Sequence, residues 1–450
     1  MPEHIKIKKG LNIKLTGEAM KALLQLPVPE IFAICPPDFN GLTPKLLVKE
    51  GDEVLAGAPL FCDKSFESVK FCSPVSGEVI EIVRGEKRKI LEIKILADKE
   101  IKYLPFNTSN PNDLVREEVV ERLLSSGVWP FIRQRPFGII ANPAEKPKSI
   151  FISAFDSSPL APDNDFIMAD DAVDFQTGLD ALKKLTDGKI HLNVRANSTA
   201  AVFLNAKGVQ INKISGPHPA GNVGTQIHRI DPVNKGEAVW YINPQDVIII
   251  GKLFNEGIFD AIRVAALTGS QVIEPKYYKT IVGCCVKNMI AESGLKAGEN
   301  RVISGNILTG RQIAADGYLS FYDSQICVIP EGHEYEFMGW LAPGFKKFSM
   351  SRAFFSWLTP NKKHDLNTNL HGEERPFVVT GEYEKVFPMD IYPVQLLKSI
   401  LIEDIDMMEK LGIYEVAEED FALCEVVCTS KIKSQEIIRR GLDLIHKEFS

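Results

Sequence analysis

Two stretches combine aromatic, basic and imidazole side chains with residues that shape a loop, a mixture able to bind a ligand or to pin the chain. GVWPFIRQRPFG, residues 127–138, interleaves Trp129, Phe131 and Phe137 with Arg133 and Arg135. Aromatic walls beside guanidinium groups make an apolar slot with hydrogen-bond donors. Cations placed there stabilise negative charge that builds on oxygen. SGPHPAGNVGTQIHRIDPV, residues 215–233, holds three glycines, three prolines, and His218 and His228, two of the chain's eight histidines. Glycine opens backbone conformations closed to other residues, and proline fixes φ and removes a donor. The segment therefore reads as a shaped loop, neither helix nor strand. Both sets also have plainer uses. The arginines fit a salt-bridged surface turn. The histidines fit pins that bond backbone carbonyls in a loop with many unpaired groups. No third zinc ligand lies at a recognised spacing, so no metal centre is expected.

These residues must be positioned by several folding units, because 450 residues exceed one ordinary core. Residues 1–100 read as an N-terminal segment and a barrel-sandwich domain. The run LVKEGDEVLAGAPLFCDKS…SPVSGEVIEI alternates short strands with glycine turns and resembles biotinyl and lipoyl domains. The Asp63-Lys64 pair sits near the position that carries the cofactor in those domains, but fold does not carry function, and Lys64 is expected to be unmodified. Residues 101–255 alternate helix and strand patterns, as in a Rossmann-like, doubly wound sheet. KSIFISAF, KIHLNVRA and QDVIIIGKLF read as its strands, with VIII at 247–250 as buried strand, and FQTGLDALKKLTDG as a helix. Ligands sit beyond the carboxyl ends of such strands, which singles out residues 153–156. Residues 256–335 are β-rich and suit a small β-grasp module. Residues 336–450 begin irregular and end helical. The expected fold class is thus multidomain α/β and α+β.

The hydrophobic share is 45% and the charged share 25%, the composition of a globular chain. The net charge of −7 argues against a nucleic-acid partner. Nine carboxylates against the single basic residue Lys410 crowd the run from Glu403 to Glu425, which leaves the remainder near neutral. That run suits a solvated face. Eight scattered cysteines make no disulfide framework and suit a reducing cytosol. The N-terminus lacks an apolar core, so no signal peptide is expected. No apolar run approaches the roughly 20 residues needed to cross a bilayer.

Several stretches resemble one family. IKIKKGLNIKLTG, GVWPFIRQRPFG, the 215–233 segment, RPFVVTGEYEKVFPMDIYP, EEDFALCEVVC, and the LTGSQV and ISGNILTG turns are similar to the A-subunits of the sodium-translocating NADH:quinone reductases. The resemblance runs in one order along essentially the whole chain. It implies a peripheral subunit on the cytoplasmic face of the bacterial inner membrane. The expected partners are five other subunits, which carry NADH oxidation, flavins and iron–sulfur relay, while the whole complex reduces quinone and exports sodium. It also implies a fold similar to the flavin-bearing subunit of complex I, with the 256–335 module of SLBB type.

The same resemblance sets expectations for cofactors. Flavin-bearing relatives need a glycine-rich loop for close approach to phosphate. Here only Gly127 and Gly138 remain, with aromatics between them, so no tightly bound FMN is expected. Cys424 and Cys428 resemble the end of a ferredoxin-type run whose earlier pair is absent, so no iron–sulfur cluster is expected. If this subunit stands at the quinone end, Trp129, Phe131, Arg133, Arg135, Phe137, His218 and His228 would face one cleft. The alternatives are an FMN-binding NADH dehydrogenase subunit of the complex I or Rnf type, or an assembly subunit without quinone. In GFKKFSMSRAFFSWL, Lys346, Lys347 and Arg352 sit among Phe345, Phe348, Phe354, Phe355 and Trp357, a mixture that suits a lipid headgroup layer or an acidic partner face. The plainer reading is a core segment with a few solvated lysines.

Overall fold

The computed structural model describes residues 3–27, 29–333, 336–339, 341–370 and 372–449. Two small antiparallel sheets form the barrel-sandwich. One orders Ile31–Ile34, Ile90–Ala97, Gly77–Arg84 and Glu53–Val54, and the other Pro44–Leu46, Pro59–Asp63 and Lys70–Cys72. Phe61 and Phe71, cross-strand partners in the second sheet, are buried and stack with ring centroids 4.4 Å apart. Lys64 is exposed on the hairpin that joins Pro59–Asp63 to Lys70–Cys72. The segment before residue 26 is used elsewhere: Glu3–Lys6 and Met20–Gln25 each add a parallel edge strand to a different larger sheet.

The first of those sheets has seven strands. Its order is Glu3–Lys6, Gln210–Ser215, Ile190–Arg195, Ile150–Ser153, Val239–Ile242, Arg133–Arg135 and Ile139–Ile140. The first five run parallel, and the last two are antiparallel additions at the far edge. The VIII run does not form one of these strands. It lies in the helix Pro244–Glu256, which starts on a proline and stops at Gly257 in a left-handed conformation. Val247, Ile248, Ile249 and Ile250 are all buried there. A four-residue apolar run has no period of its own, so a helix buried on every side looks like a strand.

The 215–233 segment also departs from expectation. Ser215 ends a strand, and Val223–Ile230 is an eight-residue helix. Five of its six glycines and prolines lie at 216–221 and 232, outside the helix, with only Gly224 inside, and they masked the amphipathic VGTQIHRI between them.

A six-stranded sheet orders Arg311–Ile313, Asn300–Ser304, Gln325–Pro330, Ile262–Thr268, Lys276–Ile281 and Met20–Gln25. Residues 336–382 are irregular apart from the short turn Phe355–Leu358 among those described. The helices Pro393–Leu401, Ile405–Lys410, Ala422–Val427 and Ser434–Phe449 then close a separate core that includes Leu396, Leu397, Met408, Phe421 and Leu442.

Candidate functional site

In the seven-stranded sheet the chain moves from Ile150–Ser153 outward to Ile190–Arg195 and Gln210–Ser215, then returns to Val239–Ile242 on the opposite side. The strand order therefore reverses between Ile150–Ser153 and Val239–Ile242. A crevice opens at such a point, because the two connections leave in opposite directions. Here it is a cleft of about 290 Å³. Ser153, Phe155 and Asp156 line it from one strand end, Ile242 and Asn243 from the other, as the placement of residues 153–156 anticipated. Tyr322 and Asp323 face them from just before the strand Gln325–Pro330 of the six-stranded sheet, and Glu419 from the C-terminal region.

Arg133 and His218 both line this cleft. The Arg133 guanidinium lies between two rings, 4.1 Å from the Tyr322 centroid and 4.6 Å from that of Tyr241. Its Nη2 donates to Asn243 Oδ1 at 3.3 Å, and its Nε, buried, has no protein partner. His218 is only 3% exposed. Its backbone is pinned at both ends: N–H donates to Asn12 Oδ1 at 2.9 Å, and C=O accepts from Leu11 at 2.8 Å. Nδ1 meets Ser157 Oγ at 3.1 Å, and Nε2 is buried without a partner. Burial pulls this imidazole down to about 4, so it is neutral at physiological pH. Arg263 and Asp246 form a buried ion pair on the same cleft wall. Burial raises the Asp246 carboxyl, with Arg263 and Arg133 acting against the shift.

The remaining candidates lie outside the cleft lining, and packing explains each. Trp129 is fully buried, edge-on to Trp240 at 5.5 Å, and its Nε1 donates to Ala141 O at 2.7 Å. Phe131 stacks on Phe321 at 4.5 Å. Both are core, because an aromatic side chain gains most where all its surface is covered. Gly127 is needed for packing as well. It has φ +75°, and a Cβ there would sit 2.3 Å from Cys72 Sγ. Phe137 turns toward the C-terminal helices, with its ring 4.9 Å from His446 and its carbonyl accepting from Arg439 at 2.8 Å.

Arg135 is 1% exposed and donates to Asp420 Oδ2 at 2.9 Å and Glu419 Oε1 at 2.7 Å. His228 rides the Val223–Ile230 helix. Its Nδ1 meets Glu415 Oε2 at 2.6 Å, and its Nε2 accepts from the Asp390 N–H at 3.0 Å. The two histidines do pin the chain, but through a hydroxyl, a carboxylate and an N–H rather than through backbone carbonyls. Arg135 and His228 thereby clamp the C-terminal region against the cleft.

Sequence reasoning missed Tyr241, Asn243, Asp246, Arg263, Tyr322 and Glu419. The Asn-Pro pair at 243–244 was the available signal, since asparagine followed by proline marks a helix start. Seven of the eight cysteines are buried free thiols. Burial pushes Cys72, Cys284 and Cys327 up to about 12, which makes them poor nucleophiles and ligands. Among the described residues no group of three His, Cys, Asp or Glu side chains could hold a metal ion.

The aromatic-basic stretch divides. Phe345, Phe355 and Trp357 are 63%, 48% and 49% exposed, and Lys346 and Arg352 are exposed beside them. Phe354 is buried and Lys347 is ion-paired to Glu336, so these two belong to the packed side.

Three family models match the chain: "NqrA N-terminal barrel-sandwich hybrid domain" over residues 5–98, "NqrA second alpha/beta domain" over 114–259, and "NQRA C-terminal domain" over 264–315. The A-subunit of the Na(+)-translocating NADH-quinone reductase of Rhodopirellula baltica is 40% identical over 98% of this chain and 98% of its own length. The chain belongs to this NqrA family. Its counterparts in Marinomonas sp. and Serratia proteamaculans are each 39% identical, covering 98% and 99% of this chain and 99% and 100% of their own lengths. Among solved structures, a chain of an NAD+-reducing NiFe hydrogenase in the air-oxidized state is similar at 10% identity. It has a TM-score of 0.40 and covers 76% of this chain and 63% of that one.

Proposed function

We propose that this chain is the peripheral A-subunit of a sodium-translocating NADH:quinone reductase. It works at the cytoplasmic face of the bacterial inner membrane beside five other subunits, and its switch-point cleft receives the quinone ring. The observation that carries the reading is end-to-end similarity to NqrA relatives at 39–40% identity. No helix among the described residues is long and apolar enough to cross a membrane, which is consistent with a peripheral place. NADH, flavins and iron–sulfur centres belong to the partners in this reading, and this chain holds no tightly bound FMN or cluster. The cleft supports the quinone role because Arg133 and His218 bring unpartnered, buried nitrogen atoms to its wall. Donors fixed beforehand stabilise charge on the reduced oxygens without reorganising.

The test is purification of the tagged chain from its host's membranes, with partners identified by mass spectrometry and sodium-stimulated NADH:quinone reductase assayed in the eluate. Co-purified subunits with that activity are expected; elution alone and inactive would reject the reading. Arg133→Ala should weaken short-chain quinone binding by the isolated chain about tenfold or more, the loss of a charged donor's contribution. Unchanged affinity removes quinone from this cleft.

The exposed side of the 345–357 segment is proposed as the docking face. Co-flotation of the chain with vesicles rich in anionic lipid should fall severalfold when Lys346, Arg352 and Trp357 are all replaced by alanine. Equal flotation assigns that face to a protein partner.

A further inference from the structure

The quinone reading leaves open what charge the cleft tolerates. In doubly wound sheets the start of a helix at the strand ends is where ligand phosphates settle, because free N–H groups and the helix dipole both favour an anion. The Val223–Ile230 helix starts at this cleft, with Gly221, Asn222 and Val223 in its lining. Its first turn is already covered. A Cβ built on Gly224 would lie 2.5 Å from Asp420 Oδ1 and 2.6 Å from Oδ2, so the Asp420 carboxylate rests directly on that turn. Asn222 Nδ2 donates to the Glu419 carbonyl at 3.2 Å, which locks the two segments together. Asp420 is 3% exposed and is held from behind by Arg135 and by the Ala417 N–H at 2.9 Å. A ligand phosphate would have to displace this buried, paired carboxylate.

The cleft beyond it is acidic as well. Its charged lining consists of Arg133 and Arg263 against Asp156, Asp246, Asp323 and Glu419. Arg135 offsets only one of the two carboxylates at 419 and 420. Yet donors are available, since Arg133 Nε and Arg263 Nε are buried without partners. Burial raises the Asp156, Asp246 and Asp323 carboxyls, and an added anion would meet these carboxyl-rich walls and Glu419, whereas unused donors suit a neutral acceptor.

We propose that Glu419 and Asp420, supplied by the C-terminal region, make this cleft selective for an uncharged, carbonyl-bearing ring and bar phosphate-bearing or anionic ligands. The inference rests on the quinone reading and adds the residues that set its specificity. Menadione and 2-hydroxy-1,4-naphthoquinone share a ring system, but the second is an anion at neutral pH. Their affinities for the full chain, and that of FMN, can be compared by quenching of tryptophan fluorescence. Menadione should bind about tenfold or more tightly than either anion. Glu419→Gln keeps an oxygen for Arg135, and should narrow the menadione-to-hydroxynaphthoquinone ratio severalfold while the chain melts as before. Equal affinities, or an unchanged ratio in the variant, would overturn the selectivity while leaving quinone binding in place. Binding of neither naphthoquinone would overturn the quinone reading itself.

Discussion

Arg135→Met should destabilise the chain by about 3–5 kcal/mol at neutral pH, because it strands two carboxylates that were folded around one guanidinium. Asp420 is almost fully buried, and Glu419 half-buried, so neither can simply turn to water. Burial works against the Arg135 charge, but Asp420 and Glu419 outweigh it and hold the arginine protonated. For Asp420 the balance falls the other way. Burial pushes its carboxyl from the ordinary 3.8 up to about 6, and Arg135 only moderates the rise. The ionised form still dominates at neutral pH, as its bonds from Arg135 and the Ala417 N–H require.

The sign of the pH dependence follows. A carboxyl whose folded-state pKa is raised binds its proton more readily in the fold than in the unfolded chain. The stabilisation from that proton is complete below the ordinary value of 3.8 and is lost as pH rises through about 6. Removing Arg135 takes away the downward pull and moves this window upward. The deficit of the variant should therefore be largest at neutral pH and shrink as pH falls through 6 and below. Urea denaturation at several pH values measures it. A deficit independent of pH would show that Asp420 does not carry the effect.

Trp129→Ala should cost about 3–5 kcal/mol, the range for emptying a fully buried tryptophan site. The side chain is 0% exposed, its partner Trp240 is equally buried, and Ala141 O would lose its indole donor. The same variant should leave quinone affinity little changed in whatever fraction stays folded, because Trp129 does not line the cleft. A residue that walled a ring slot would give the opposite pattern: weaker affinity with an unaltered denaturation midpoint. The pair of measurements thus separates the packing role of the 127–138 aromatics from the binding role that their composition suggests.

Composition and local pattern determined a good deal by themselves. Alternating strand and helix signals specified a doubly wound sheet, because each element's apolar period is local information. Glycine turns between short strands specified the barrel-sandwich, and residues 153–156 were placed at a strand end that does border the cleft. Long, unusual segments such as GPHPAGNVGTQIHRIDPV carried the family.

Tertiary structure alone decided which residues share the site. Arg133 and Arg135 are two residues apart on one strand, so both side chains leave the same face. Both guanidinium groups lie near the Tyr241 ring, 4.6 and 5.9 Å from its centroid. Beyond that ring they part. Arg133 enters the cleft between Tyr241 and Tyr322, while Arg135 is buried against Asp420. Nothing in the local sequence foretells that division, since it depends on pairing with the distant strand Val239–Ile242 and on the regions that pack over it. Glu419 joins from more distant sequence still, and looked like part of a solvated acidic run until the C-terminal helices docked. Hydrophobic period is written in neighbours along the chain; a cleft is made by neighbours in space.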